Sequence, residues 1–540
     1  MPDTTRPFSL LPTAFDIHSH PTVEALATTL EPLTAELAEN EALREQLGQD
    51  EAIWTDLNRL WRDLSRAQLT FWDNDDSDDE EADQHEKQRQ YALRLLSASL
   101  ARFTRNLVAA VPRNQSKAFE NEPYIRRLVH YYTSWSFLED QEALLVARVL
   151  SQTLANLVSG NEALVSKLWN TYLNLPEDQV ILIRLLASSD PRTLVAALIL
   201  ILSCIHGSRT RMRMLTRTVI GVRICVCLLD CMVKLYDADD GTDEARAFDI
   251  GYEIFSRIMG VDLVPSLFSR LSVADEIITP HQTTLLKLVD SYLQSASLTQ
   301  IPSTPLGTSL YGKLRPMLAR TFFSLSSYAQ NSIRTSLGNP APDAPPSNGP
   351  LASLDVMLPK ACEALVLVTQ CIVTVTLGSS AEIEQTSQDY FNEILPPEDG
   401  AAGLLESLTE LLRLLDAFLP RINFGKPVPD AGRAQPNVGV GDGITGFNYL
   451  KRDLVRLLGI LCHENKAVQD RARQCGGIEA VMNLCVVDER NPYLREHAIF
   501  TLHNLLVGNP ENQAVVDSIQ PSGKWDDTGV LQQIPGAVRK

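Results

Sequence analysis

The sequence predicts an all-α protein of the α-solenoid kind, and three observations carry that reading. Apolar residues recur at helical spacing along most of the chain, strand-type alternation is nearly absent, and a block near residue 155 returns in the same frame near residue 503. Aromatic residues are only 6% of the chain while leucine and alanine abound, a balance that favours helix over sheet. With 540 residues and 44% hydrophobic composition, the chain can bury a large core without metal or disulfide staples, and disorder of the whole chain is excluded.

The helical stripes follow in chain order. Leu150, Leu154, Leu157 and Val158 form one, and Leu454, Leu457, Leu458 and Leu461 another. Ile478, Val481, Met482 and Cys485 form a third, and Ile499, Leu502, Leu505 and Leu506 a fourth. Each is an apolar face that must find a partner helix. Three stretches interrupt the pattern. Asp73 to Glu86 carries nine acidic residues, a like-charge run expected to form a solvated, disordered insertion over 73–90. Asn339 to Pro350 holds five prolines and reads as an extended linker within 338–355. Gly425 to Gly446 combines three prolines with six glycines and reads as a long loop. These breaks leave helical stretches at 1–72, 91–337, 356–424 and 447–540.

The repeat itself is specific. Leu154-Ala-Asn156-Leu157-Val-Ser-Gly160-Asn161 matches Leu502-His-Asn504-Leu505-Leu-Val-Gly508-Asn509 at five positions. A related block, Ile201 to Ser208, follows the first copy by 47 residues, and Leu457 to Leu461 precedes the last by 45. A helix-filled period of this length is that of armadillo or HEAT arrays, where no unit buries its stripe alone and neighbours stack into a superhelix. Asn/Gly helix caps would account for the block but not for the period. The stretch 91–337 is therefore expected to be an armadillo-like solenoid, continued over 356–424 and closed by an armadillo-like domain over 447–540.

The net charge is −19, and removing the acidic run still leaves a remainder near −10. A general nucleic-acid binder would need a basic field instead. Nine cysteines, an odd number without framework spacing, read as reduced thiols of a cytoplasmic protein. Met1 to Thr22 shows no basic region followed by an apolar run, so no secretory leader is expected. The longest continuous apolar stretch, Leu194 to Ile205, falls short of the roughly 20 residues a membrane span needs, so no insertion is expected.

Catalytic and metal motifs fail one by one. Asp16-Ile-His18-Ser-His20 has the His-x-His of a barrel metal site, but no later ligands or strand–helix alternation follow, and a mobile tail is expected. Cys225-x-Cys227-x-x-x-Cys231 offers soft thiolates suited to Cu(I), the alternative reading of this chain. On a helix, however, 225 and 227 face apart among core-type residues. Cys462-His463, Cys475, His497 and His503 show no paired zinc spacing. Gly439, Gly441, Gly443 and Gly446 lack the preceding strand and the Lys-Ser/Thr of a phosphate loop. No catalytic signature is present, so neither enzyme activity nor a cofactor is expected.

Candidate contact residues remain. Asn156 and Asn504 occupy positions comparable to the asparagine ladder of peptide-binding armadillo proteins. Ser203 and Gly459 break that ladder, and no tryptophan stands one turn earlier, where Gln152, Ile199, Val455 and Phe500 are found. Arg209, Arg213 and Arg217 share a helix face and form a ridge able to receive an acidic partner or the chain's own acidic run. Ser77, surrounded by acids, suits an acidophilic kinase of the casein-kinase-2 type, whose phosphate would add about −1.5 to −2 charge.

From Phe447 to about Gln520 the chain resembles the C-terminal domain of the ataxin-10 family. The resemblance is carried by Tyr449-Leu-Lys-Arg-Asp-Leu-Val-Arg456-Leu-Leu-Gly459, by Asn465-Lys-Ala-Val-Gln469-Asp470, and by Gly477-Ile478. The most distinctive run is Asp488-Glu-Arg490-Asn491-Pro492-Tyr-Leu-Arg495-Glu496-His-Ala498-Ile499-Phe500, followed by Asn504-Leu505 and Asn509-Pro-Glu-Asn512-Gln513. It departs from the family's usual Gly-Asn-Leu at Gly459-Ile460-Leu461, and has His497 where an aromatic residue usually follows Arg-Glu. The resemblance implies an armadillo-like, non-catalytic cytoplasmic protein that regulates cytokinesis and cell survival through protein contacts. Some related members carry a copper-transport name. Within the distinctive run Asn491-Pro492 has the form of a helix start, with Asn as cap and Pro at the first turn. Arg490 and Arg495 join the candidate contacts. The partners expected are other proteins, a second copy of the chain included.

Overall fold

The computed structural model describes residues 10–12, 15–69, 80–137, 139–298, 307–338, 355–378, 381–393, 402–419, 421–423, 426–427, 446–518, 523–525 and 531–533. Ser77, Asp73 to Asp79, the proline-rich stretch 339–354 and the glycine-rich positions 439, 441 and 443 lie outside them. Packing divides the chain into two compact units, 1–271 and 272–540. That boundary falls inside the stretch 91–337 expected as one array. Residues 272–279 leave the helical path, with Asp275 at φ 68°, and a reciprocal capping box starts the next helix. In it Thr279 N–H donates to Gln282 Oε1 at 3.0 Å, and Gln282 N–H to Thr279 Oγ1 at 3.1 Å.

The first unit is built from groups of three helices. They are α1 (His20–Glu39), α2 (Glu41–Gly48) and α3 (Glu51–Leu69), then α4 (Glu80–Leu107), α5 (Pro112–Ala118) and α6 (Glu122–Tyr132). Next come α7 (Gln141–Val158), α8 (Glu162–Leu173) and α9 (Ile181–Leu186), then α10 (Pro191–Ile205), α11 (Arg209–Arg217) and α12 (Val219–Leu235). The unit ends with α13 (Asp243–Gly260) and α14 (Val264–Arg270). The first helix of each group packs on the first of the next, giving a ladder α1–α4–α7–α10–α13. The third helices form a ladder α3–α6–α9–α12, and α8, α11 and α14 stack beside them. This is armadillo-type repeat stacking. Local chemistry sets the helix starts: the side chains of Asp140, Asn161, Asp190, Ser208, Thr218 and Thr242 each accept a first-turn N–H. Trp61, Phe103, Tyr132, Trp169 and Phe255 fill the core.

Two N-terminal expectations change. The acidic run does not extend as an irregular insertion to residue 90, because α4 begins at Glu80. Its downstream stripe of Ala92, Leu93 and Leu96 is buried against α1, and a helix so anchored propagates upstream at little cost. Nor are Asp16 to His20 a loose tail. Asp16 Oδ1 accepts from His18 N–H at 3.0 Å, and His20 opens α1 with its ring edge-on to that of His85, centroids 5.3 Å apart.

The second unit holds α15 (Pro280–Leu298) and α16 (Gly307–Ser336), then α17 (Leu358–Thr376), α18 (Ala381–Glu393) and α19 (Leu404–Phe418). They are followed by α20 (Leu450–Cys462), α21 (Lys466–Gln474), α22 (Gly477–Asn483), α23 (Leu494–Leu506) and α24 (Pro510–Ser518). Here α15–α17–α20–α23 form one ladder and α16–α19–α22 another. Two small antiparallel ribbons add the described strands: β1 (Ile422–Asn423) with β2 (Lys426–Pro427), and β3 (Gly523–Trp525) with β4 (Leu531–Gln533). The stretch from Leu194 to Ile205 is not the chain's best candidate for a membrane span: α17, at 19 residues, is long and apolar enough to cross one. It packs between α15, α16 and α20 with most of its apolar side chains buried, as a core helix does.

The repeated sequence block is a hydrogen-bond circuit. Thr153 Oγ1 donates to Ala101 O at 2.9 Å and Asn156 Nδ2 to Arg105 O at 3.2 Å, joining α7 to α4. The same pair recurs between α23 and α20: Thr501 Oγ1 to Val455 O at 3.0 Å, and Asn504 Nδ2 to Gly459 O at 3.0 Å. A glutamine closes each circuit. Gln115 Nε2 donates to Asn156 O at 3.0 Å and Gln469 Nε2 to Asn504 O at 2.8 Å. Their Oε1 atoms accept from Asn161 at 3.2 Å and Asn509 at 3.1 Å.

Gly459 permits this approach, since a Cβ there would lie 2.4 Å from Thr501 Oγ1. Gly459→Ala should therefore destabilise the fold by about 1–3 kcal/mol through overpacking, and Asn504→Ala by a similar amount through an orphaned buried carbonyl. Arg209→Ala, on an exposed face, should stay within about 0.5 kcal/mol. Denaturant midpoints of the three variants check the ranking.

Candidate functional site

The C-terminal repeat presents a groove between the ladder helices α20 and α23. Both helices begin alike. Tyr449 at φ 66° and Tyr493 at φ 63° take the left-handed conformation immediately before the buried Leu450 and Leu494. The distinctive run from Asp488 to Tyr493 is tied to β1. Ile422 N–H donates to Asp488 Oδ1 at 3.2 Å, and Glu489 N–H to Ile422 O at 2.9 Å. Asn491 therefore does not cap α23 as its sequence implies. Its Nδ2 donates to Asp488 Oδ2 at 2.9 Å, its carbonyl accepts from Leu494 N–H at 3.0 Å, and the helix starts only at Leu494. Gly476, at φ 77°, separates α21 from α22.

The groove has a volume of about 590 Å³. Thr501, Asn504 and Gly459 lie along it, Ile460 and Phe500 supply apolar surface, and Arg456, Glu496, His463 and His497 add polar groups. Phe500 is 67% exposed although it stands next to the buried stripe of α23, and Ile499 beside it is 50% exposed. The frame beneath is tightly held. Arg452 stacks on the Tyr449 ring at 4.5 Å and bonds Asp453, which accepts from Gln370 Nε2 of α17 at 2.9 Å. Lys451 is fully buried and reaches Asp416 and Leu419 O, both at 3.4 Å. Burial holds its ammonium below the ordinary lysine range, against the pull of Asp416 and Asp488. Burial first, then Arg456 and Arg452, push the His497 imidazole below its ordinary value.

The candidate contact residues are dispersed rather than gathered. Asn504 borders the groove, but it is only 5% exposed and its carboxamide is committed to Gly459. Asn156 plays the same part between α7 and α4. Arg490 is half-buried, and burial lowers its guanidinium pKa; among the described residues its Nη1 has no partner. Arg495 is exposed outside the groove lining. Arg209, Arg213 and Arg217 are exposed along α11. Sequence reasoning missed the groove itself. The available signal was α23, where Ile499 and Phe500 extend the apolar surface well beyond one buried face.

Two of the three thiols on α12 are engaged by backbone carbonyls of different neighbouring helices. Cys225 Sγ contacts Leu215 O at 3.7 Å, Cys231 Sγ contacts Leu186 O at 3.2 Å, and Cys227 is only half-buried. Burial raises all three pKa values, Cys231 to about 11. Among the described residues no three His, Cys, Asp or Glu side chains gather as a metal would require.

Comparison with known proteins places these observations. Residues 450–539 match the spinocerebellar ataxia type 10 protein domain. The chain is similar to Ataxin-10 of Xenopus tropicalis, 32% identical over 141 residues, which is 25% of this chain and 27% of that protein. It is also similar to the Ataxin-10 homolog of Dictyostelium discoideum, 41% identical over 14% of this chain and 12% of the relative. Human Ataxin-10 is 28% identical over 26% of this chain and 28% of its own length. The matches thus span at most 28% of the length of these relatives.

Two outcomes follow. The folded-state pKa of His497 lies below the unfolded value of about 6.5, so the unfolded chain binds the proton more readily. The stability this residue contributes is therefore present above pH ~6.5 and declines as pH falls through that value toward the folded pKa. His497→Gln should flatten the loss of melting temperature between pH 7 and pH 5.5. Separately, Cys204, Cys225, Cys362 and Cys462, all buried, should resist iodoacetamide at pH 7.5 until the chain is unfolded, as read by mass spectrometry.

Proposed function

We propose that this chain, whose residues 450–539 match the spinocerebellar ataxia type 10 protein domain, is a non-catalytic scaffold that holds partner proteins on its helical repeats. The role would be exercised in the cytoplasm, in cytokinesis, where the family resemblance points. The observation that supports this reading is the α20/α23 groove: an exposed Phe500 and a half-buried Ile460 stand on a frame whose buried polar groups are committed to structural bonds. A large aromatic side chain on a rigid helix contributes much contact area at low entropic cost. Mechanistically, partners held on one surface gain effective concentration for each other.

The test compares the wild-type chain with Phe500→Glu in affinity purification from dividing cells with quantitative mass spectrometry. Helicity and melting are checked in parallel. A defined set of proteins should fall at least tenfold in the variant while the fold is unchanged. Identical recovery from both would remove the groove as a docking surface. Cells depleted of the protein should accumulate as binucleate cells and be rescued by wild type; normal division would sink the cytokinesis assignment.

A further inference from the structure

We propose that the outer face of α11 and α14 in the first unit docks an extended acidic segment of a partner protein. This deepens the scaffold reading and rests on it, but it concerns a surface remote in sequence from the groove. Helix α11 reads Arg-Thr-Arg-Met-Arg-Met-Leu-Thr-Arg and α14 reads Val-Pro-Ser-Leu-Phe-Ser-Arg, and neither contains an acidic residue. Arg209, Arg213 and Arg217 recur at four-residue intervals and are exposed, so they stand on one face of α11. Arg217 Nε donates to Ser266 Oγ at 3.0 Å, joining that face to α14, where Arg270 lies four residues beyond Ser266 and is exposed. Four guanidinium groups therefore follow one continuous path over two packed helices. Among the described residues Arg209, Arg213 and Arg270 have no carboxylate partner.

The ridge is held rigidly by the arginine that does not belong to it. Arg211, 5% exposed, turns inward and bonds Glu162 of α8, the Cys204 carbonyl, Ser166 Oγ at 3.2 Å and His206 O at 3.0 Å. Trp169 Nε1 donates to the Arg211 carbonyl at 3.2 Å from below. One arginine thus anchors α11 to the neighbouring helices while its neighbours in sequence stay outside.

The spacing suits an extended acidic peptide. Residues four apart on a helix rise about 6 Å, and alternate residues of an extended chain advance about 6.7 Å. Carboxylates at every second position would meet Arg209, Arg213 and Arg217 in turn, within the freedom of the long side chains. Guanidinium groups bind carboxylate and phosphate bidentately, so phosphoserine in the same register strengthens the pairing. A long polyanion such as duplex DNA or an anionic membrane would also face the rest of a chain with net charge −19, whereas a short peptide meets mainly the ridge.

The probe is a fluorescent peptide with the sequence of residues 73–81, Asp-Asn-Asp-Asp-Ser-Asp-Asp-Glu-Glu, with and without phosphate on its serine. Anisotropy is measured against the full chain, and against a full chain whose acids at 73–79 are replaced by asparagine to remove internal competition. The peptide should bind at least one of the two and tighten several-fold on phosphorylation. Binding should weaken as salt rises from 50 to 200 mM, and at least tenfold in R209A/R213A/R217A. R127A/K234A/R246A, which removes the same charge from exposed positions elsewhere, should change it less than twofold. Absence of binding to both chains, equal loss in the two triple variants, or tighter binding of duplex DNA or phosphatidylserine vesicles at matched charge would each overturn the proposal. None of these outcomes bears on partner loss in Phe500→Glu, which tests the scaffold reading separately.

Discussion

A repeat protein stacks helices end to side, and each helix ends with backbone carbonyls that have no partner within it. This molecule meets that constraint with polar side chains placed seven residues further on, in the next helix. Asn114 Nδ2 donates to Leu107 O at 2.9 Å, Gln469 Nε2 to Cys462 O at 3.2 Å and Asn512 Nδ2 to Leu505 O at 2.8 Å. Arg211 makes the same reach back to Cys204 O. Each bond fixes the short helix of a repeat against the end of the long one, and the angle so set decides where the next repeat can pack. Losing such a group leaves a carbonyl dry, which costs more than the bond itself contributes.

The same economy explains why asparagine and threonine, rather than apolar residues, sit in the interfaces between α4 and α7 and between α20 and α23. A donor three residues from another donor meets carbonyls four residues apart on the facing helix, and only one register satisfies both. Apolar packing alone tolerates sliding; these rungs do not. Gly459 belongs to this logic, because it lets α20 come close enough for Asn504 to reach its carbonyl. The asparagines that looked like contact residues are thus spent on the framework.

Once the interior is fixed in this way, the outer faces are free for other uses. In the C-terminal repeat this yields an apolar groove edged with imidazole and charged groups. In the first unit it yields a basic ridge beside the buried Arg211, which works for the framework. The exposed residues of both surfaces, Phe500 in the groove and Arg209 and Arg213 on the ridge, should be removable with the helices left standing, as expected of surfaces with a role outside the fold.

Much of this was legible in the residues themselves. Helical periodicity, the recurrence of Leu154–Asn161 at Leu502–Asn509, and the run from Asp488 to Phe500 determined the helix content, the repeat length and the family that the last repeat resembles. These depend on interactions between near neighbours in sequence, which a linear pattern records. Tertiary structure alone decided that Arg211 turns inward while Arg209 and Arg213 stay out, and that Asn491 serves Asp488 instead of capping α23. It also decided that the chain divides into two packed units after residue 271 and that Phe500 is left exposed. Most of these turn on a partner 40 or more residues away, directly as for Arg211 with Glu162 or through Asp488, which is itself held by Ile422, and residue type at a position does not encode which helix arrives beside it.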